Sequence, residues 1–331
     1  MAQSPRKWRI TVLISGSGKS PLARISLLVP IAVPRSNLQA LLDATQRPPS
    51  DPLSLAHCAI TAVVSSRSDA RGLVRARTFA PAPTPAEAFP LLRWRKLAGN
   101  ADRTRTDWER DLARKIRETR PDVVVLAGWM LILGPEFLSA LSRDWDEPPS
   151  SSSSSEPAIS SPCVDPTSSR VGAGLSTPGP SPYSPSLQPT LRGRPIPIIN
   201  LHPALPGQFP GAHAIRDAWE AFNTPPASAF SSATGTADVL TTVGGEAPEA
   251  AGRRIEKTGI MVHRVIPLLD AGEPVVVKDV PLVEGESLDD LEERVHAVEH
   301  VGIVEAVREV VRLVEDGTWW DAEEAGRQGA Q

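Results

Sequence analysis

The chain has 331 residues and a formal charge of -4, which is length for one large domain or two small ones and lacks the basic footprint of a nucleic-acid-binding surface. Its two cysteines, Cys58 and Cys163, give neither a disulfide framework nor a metal-ligand spacing. The longest early apolar stretch, Ile25 to Val33, is too short for a bilayer and no long signal core precedes it, so the composition reads as a cytoplasmic protein without membrane contact.

Trp8 to Ser15, "WRITVLIS", predicts a strand that runs into Gly16-Ser17-Gly18-Lys19-Ser20. The last three letters suggest the phosphate loop of a nucleoside triphosphatase, but that motif needs a glycine at position 13, which is Leu. Leucine does not take the first glycine's backbone conformation cheaply. What remains is a strand followed by small residues, a place where backbone N–H groups can meet an anion. Ser36 to Thr45, "SNLQALLDAT", predicts a helix with Ser36 in capping position. Cys58 to Ser66 predicts a β-branched strand. Asp107 to Pro121 predicts an amphipathic helix, with Trp108, Leu112, Lys115 and Ile116 at helical spacing and a proline stop.

Asp122 to Gly128, "DVVVLAG", is a near-continuous apolar strand of the kind buried on both faces, and Pro195 to Pro203 is another strand with a polar end. Strands alternating with helices predict an α/β fold, a mostly parallel twisted sheet with helices on both faces. Ten of the 34 prolines fall between Glu147 and Arg194. Glu147 to Arg194, rich in Ser and Pro, buries too little apolar surface to offset its ordering entropy and reads as disordered. Asn223 to Arg254 reads as a second long surface loop. The remainder fits a single domain over 1–331. Replacing Glu147 to Arg194 by a short Gly/Ser bridge is therefore expected to leave the melting temperature and activity near those of the full chain, since closure entropy rises only logarithmically with loop length. A large fall in thermal stability would show that the segment packs on the core.

Ligands of such sheets sit at the carboxyl ends of strands. Those ends carry Ser15-Gly16-Ser17-Gly18, Ala127-Gly128-Trp129-Met130 and Asn200-Leu201-His202-Pro203, three segments expected along one edge. A histidine at a strand end can give and take a proton near neutral pH. Asn200, two residues earlier on the same side of the strand, carries an amide able to donate to a developing oxyanion. Asp270 starts a turn, and beside His202 it would favour the imidazolium and fix its tautomer. An N-x-H pair can equally serve only loop hydrogen bonding.

These residues lie within longer stretches that resemble the phosphoribosylglycinamide formyltransferases: "NLHPALPGQFPGAHAIRDAW" (Asn200 to Trp219), "VVVLAGWMLIL" (Val123 to Leu133), "KTGIMVHRVIPLLDAGEPVV" (Lys257 to Val276) and "DLEERVHAVEHVGIVEAVREVV" (Asp290 to Val311). They stand in the family's order, and the wording and long insertions look most like fungal members. The resemblance implies a Rossmann-like formyltransferase fold. It implies transfer of a formyl group from 10-formyltetrahydrofolate, as co-substrate and without a metal, to the amine of glycinamide ribonucleotide in purine synthesis. These small molecules are the expected partners; oligomeric state is left open.

By position, the resemblance makes His202 the general acid/base, Asn200 the holder of the formyl oxygen, and Asp270 the partner of His202. Met130, Leu131, Ile132 and Leu133 would make backbone contacts to the folate, with Arg105 as the folate-side arginine or a solvated helix-start residue. Glu299 would lie near the nucleotide's ribose, or be a solvated helix glutamate; His263 would be supporting. The family's first loop reads G-x-G-S-N-L and binds the nucleotide's phosphate. Here Gly16, Ser17 and Gly18 are separated from Ser36 and Asn37 by Lys19 to Arg35, an insertion whose edges can be encoded as a splice donor and acceptor. Met261 stands where many members carry a small hydroxyl residue, and Leu131 where many carry arginine. Two other readings are a different folate-dependent formyl-handling enzyme, whose relatives would need a further domain at one end, and a catalytically impaired folate-binding homologue with a broken phosphate loop.

Overall fold

The structure is a computed structural model that describes residues 6–16, 36–142, 194–224 and 255–321. Its elements in chain order are β1 (Trp8–Ile14), α1 (Asn37–Ala44), β2 (Cys58–Ser65), α2 (Arg71–Thr78), β3 (Ala86–Ala88), α3 (Leu91–Arg95), α4 (Arg105–Glu118), β4 (Val123–Leu126), α5 (Pro135–Ser142), β5 (Ile198–His202), α6 (Ala214–Asn223), β6 (Lys257–Arg264), β7 (Pro274–Pro281) and α7 (Leu288–Glu315). The seven strands form one sheet in the order β3-β2-β1-β4-β5-β6-β7. Pairings from β3 to β5 are parallel, and β6 and β7 are antiparallel additions, so the expected mostly parallel α/β sheet is found.

Alternation along the central strands divides the core in two. Ile10, Val12, Ile14, Val123 and Val125 face one layer with Leu41 of α1, Leu73 of α2, Phe222 of α6 and Val307 of α7. Leu13, Val124 and Leu126 face the other with Trp94 of α3, Trp108 and Leu112 of α4 and Phe137 of α5. Full burial of each large side chain contributes on the order of 2 kcal/mol. Both faces of the parallel strands are thus covered, the condition that allows near-continuous apolar runs such as "VVVL".

Local signals set the boundaries. Ser36 caps α1, its side chain accepting from the Gln39 N–H at 3.2 Å, as its position in the sequence predicts. Helix α4 starts two residues before the expected Asp107, because Thr104 and Asp107 form a reciprocal capping box, and it ends before Arg120, whose φ of 49° cannot continue a helix. Asp122 lies outside β4: fully buried, it accepts from Arg6 Nη2 at 3.0 Å and the Arg9 N–H at 2.8 Å. Helix α7 packs closely on β6, where a Cβ at Gly302 would fall 2.6 Å from Ile260 Cδ1.

Lys19 to Arg35 lies outside the described residues, as does almost all of the 147–194 and 223–254 segments. Asn223 is the last residue of α6 and Thr224 its cap, and the Arg194 guanidinium lies 4.5 Å over the Trp320 ring. A bridge that joins before Arg194 therefore preserves that contact. Among the described residues, no helix is long and apolar enough to cross a membrane.

Candidate active site

The order of strand addition reverses between the parallel neighbours β1 and β4: from β1 it runs outward through β2 and β3, and from β4 outward through β5 on the other side. The carboxyl ends of β1 and β4 flank the crevice that this reversal opens. They are tied together there, since the Ser15 N–H donates to the Gly128 carbonyl at 3.0 Å and the Met130 N–H donates to Ser15 Oγ at 3.0 Å. Ser15, buried at 3% exposure and 2.5 Å from Ser66 Oγ, thereby fixes where the 129–133 loop leaves the sheet, a role sequence reading did not assign to it.

The neighbouring strand β5 brings Asn200 and His202 to the same edge, and antiparallel pairing with β6 sets His263 opposite Asn200 and Met261 opposite His202. Asp270 joins them from the turn between β6 and β7. Its Oδ2 lies 3.5 Å from His202 Nδ1 and accepts from the Gly211 N–H at 3.2 Å; its Oδ1 lies 3.6 Å from His263 Nε2 and 3.5 Å from Asn200 Nδ2. The expected trio of Asn200, His202 and Asp270 is therefore in contact, and His263 completes a quartet.

Hydrogen-bond chemistry fixes the orientations. His263 Nδ1 faces the Arg264 carbonyl at 2.8 Å, which can only accept, so Nδ1 carries the proton. Its Nε2 then accepts from Asn200 Nδ2 at 3.2 Å, which holds the Asn200 nitrogen, and not its oxygen, toward the cluster. His202 Nε2 donates to the Phe209 carbonyl at 3.1 Å while Nδ1 faces Asp270, so a doubly protonated ring finds an acceptor at both nitrogens. Burial pushes the Asp270 carboxyl up, but the neighbouring rings of His263 and His202 and the Gly211 N–H more than reverse it and hold it below its usual range. Phe209 (φ 44°) and Asp270 (φ 49°) both occupy the left-handed region, a strain that persists at sites the surroundings over-determine. Neither strain has a signal in the sequence.

On the far side of the crevice, Arg105 opens α4. Its Nε meets Glu109 Oε1 at 3.1 Å and its Nη2 donates to the Ile132 carbonyl, so it is neither free nor merely solvated. Glu109, 5% exposed, also accepts from the Gly134 N–H at 3.1 Å. Helix α4 thus braces the loop of Met130, Leu131, Ile132 and Leu133. Within that loop Leu133 is buried, Leu131 packs on the core, and the Met130 and Ile132 side chains are more than half exposed. Glu109 was missed in the sequence, although its i,i+4 spacing from Arg105 is a usable signal.

The third group lies at the N-terminus of α1. Asn37 Nδ2 donates to Glu299 Oε2 at 3.0 Å, and Arg75 Nη1 donates to Ser36 Oγ at 2.7 Å. Glu299 is 6% exposed, which overturns its reading as a solvated helix residue; burial raises its carboxyl above the usual range, against the opposing His296 charge and Asn37 bond. Gly16 is described at the end of β1, while Ser17 and Gly18 lie outside the described residues. Among the described residues, no group of three or more His, Cys, Asp and Glu side chains is placed to hold a metal ion.

A formyl transferase family model matches residues 26–144 and 247–307. A phosphoribosylglycinamide formyltransferase of Schizosaccharomyces pombe is 32% identical over 86% of this chain and 97% of its own. That of Saccharomyces cerevisiae is 32% identical over 92% of this chain and 97% of its own. The crystal structure of phosphoribosylglycinamide formyltransferase from Streptococcus pneumoniae TIGR4, 21% identical, has a TM-score of 0.51 with coverage of 92% of this chain and 99% of that one, a likeness of fold. The near-complete span of the two yeast relatives, the family match and the shared fold agree: the chain belongs to the phosphoribosylglycinamide formyltransferase family.

Proposed function

We propose that the chain transfers the formyl group of 10-formyltetrahydrofolate to the amine of glycinamide ribonucleotide, as a cytoplasmic step of purine synthesis. The observation that carries the reading is the contact of Asn200, His202, His263 and Asp270 at the strand ends of a chain from this family. The substrate amine attacks the formyl carbon, and negative charge grows on the formyl oxygen. The Asn200 amide, its nitrogen held toward the cluster by His263, donates to that oxygen. His202 takes the proton released by the attacking nitrogen and returns one to the departing N10, and Asp270 stabilises the imidazolium between those steps. The bond from the formyl carbon to the amine forms, the bond to N10 breaks, and no net proton is consumed.

The same reading gives the outer groups their roles. Met130 to Leu133, with Arg105 bracing them, face the folate. Ser36 and Asn37, at the positive end of α1, receive the nucleotide's phosphate, with Gly16, Ser17 and Gly18 as the family loop's other contributors, and Glu299 accepts from ribose hydroxyls. Alignment of both substrates supplies much of the remaining acceleration. Incubation of the purified full chain with both substrates is expected to yield formylglycinamide ribonucleotide, detected by mass spectrometry. Absence of product, or product without the folate, overturns the reading.

Asp270→Asn tests the electrostatic half of this scheme. A neutral amide no longer stabilises the imidazolium formed during proton transfer, so the limb of the pH–rate profile that reports the basic form is expected to move toward acid, with a lower maximal rate. An unchanged profile would reduce Asp270 to a turn residue.

A further inference from the structure

After α7 the chain reverses at Gly317 (φ 78°) and buries Trp319, 2% exposed, beside Arg264 at the end of β6. The Arg264 guanidinium lies 3.8 Å over the Trp319 ring and its Nη1 donates to the Trp319 carbonyl. Its Nε meets Glu273 Oε2 at 3.1 Å, and its backbone N–H donates to the Glu273 carbonyl at 3.0 Å. Arg264 and Glu273 are the two stems of the turn that carries Asp270. The stems touch closely: a Cβ on Gly272 would fall 1.7 Å from the Arg264 carbonyl oxygen, the same oxygen that accepts from His263 Nδ1.

We propose that Arg264 and Trp319 are positioning residues for the reaction. Trp319 holds the guanidinium, the guanidinium closes the 264–273 turn, and the closed turn keeps Asp270 and His263 in register with His202 and Asn200. A buried guanidinium demands partners, and an aromatic face with a carbonyl and a carboxylate supplies them. Asp270 gains from such closure because its left-handed backbone reverts unless its surroundings enforce it. The adjacent Trp320 offers an internal comparison. Its Nε1 donates to the Pro195 carbonyl at 3.1 Å and its ring lies under Arg194, so it anchors the same tail to the start of β5 rather than to the turn.

The inference rests on the formyltransferase reading, and its test has one readout that needs no turnover. Arg264→Met keeps the side chain's bulk and removes its charge and donors; Trp320→Phe removes one hydrogen bond from the same tail. In Arg264→Met, kcat is expected to fall on the order of tenfold or more, as small misplacements of reacting groups do, with KM for both substrates within about twofold. Its basic pH limb is expected to move toward acid, as in Asp270→Asn, and amide exchange across residues 265–273 to quicken. Arg264→Lys, which keeps a cation over the ring, is expected to recover part of kcat. Trp320→Phe is expected to melt earlier yet keep the wild-type kcat, pH profile and exchange in that turn. Wild-type kcat and exchange in Arg264→Met, or equal loss of kcat in Trp320→Phe, overturns the proposal. Should Arg264→Met fail to fold, Arg264→Lys reads the same quantities, and unchanged kcat and exchange there overturn it too. A wild-type chain that forms no product overturns the formyltransferase reading instead, and leaves the exchange comparison to decide the brace.

Discussion

His202→Ala is expected to lower kcat for formyl transfer by about a hundredfold or more, the loss that follows removal of a general acid/base. The reaction moves a proton from the attacking amine to N10, and His202 is the ring that faces Asp270 with Nδ1 and the carbonyl of the 203–213 loop with Nε2. Exchange of the Phe209 carbonyl for substrate at Nε2 leaves the carboxylate behind the ring to stabilise its charged form. The substitution also has a structural effect that the sequence does not reveal. His202 is 4% exposed and donates to the carbonyl of half-buried Phe209, so its removal loses that hydrogen bond and the packing of a buried ring, about 1–2 kcal/mol. A melting temperature lowered by several degrees is therefore expected alongside the kinetic loss. His202→Gln, which retains a donor, separates the two effects: stability largely recovers and activity does not. Near-normal turnover in either folded variant would remove His202 from the mechanism.

The sequence made legible what is local and what is periodic. The Ser36 cap, the apolar run of β4 and the α4 stripe follow from neighbours in the chain and were read within a few residues. The convergence of Ser15, Gly128 and Asn200 on one edge followed from the α/β alternation alone, because parallel strands point the same way. What the pattern could not supply was the partner of each polar group. Asp270 lies far from His202 in sequence, and only the antiparallel return of β6 and β7 brings them together. A glutamate on a helix surface and one sealed against Asn37 look alike in sequence, which is why Glu299 was open until packing of α7 on α1 buried it. The Arg105–Glu109 brace and the Arg264–Trp319 contact belong to the same class. Each depends on a tertiary approach that no local propensity encodes.

Deletion of Lys19 to Arg35 is expected to strengthen binding of glycinamide ribonucleotide. The cut joins Gly16-Ser17-Gly18 directly to Ser36-Asn37-Leu38 and restores the family's uninterrupted loop at the start of α1. The receiving end is already built: Ser36 caps the helix, Asn37 is held by Glu299, and Arg75 brings a cation to Ser36. Backbone N–H groups and the helix dipole there favour a phosphate. What the full chain lacks in sequence is the short connection that would hold Gly18 beside Ser36. Loop-closure entropy over the 17 inserted residues amounts to about 2 kcal/mol, so a gain of roughly tenfold or more in nucleotide affinity is expected. Folate affinity should change little, because the 129–133 loop is held by Ser15, Arg105 and Glu109, all retained. The deletion also removes "ISLLVPIAV" (Ile25 to Val33), an apolar β-branched run of the kind that promotes association, so higher solubility is expected. Calorimetric titration of both forms with nucleotide and with folate separates the outcomes. Weaker or equal nucleotide binding by the shortened chain would make Lys19 to Arg35 a working part of the site. In that case the phosphate contacts come from within the insertion, and its polar residues Lys19, Ser20 and Arg24 become the next substitutions to measure.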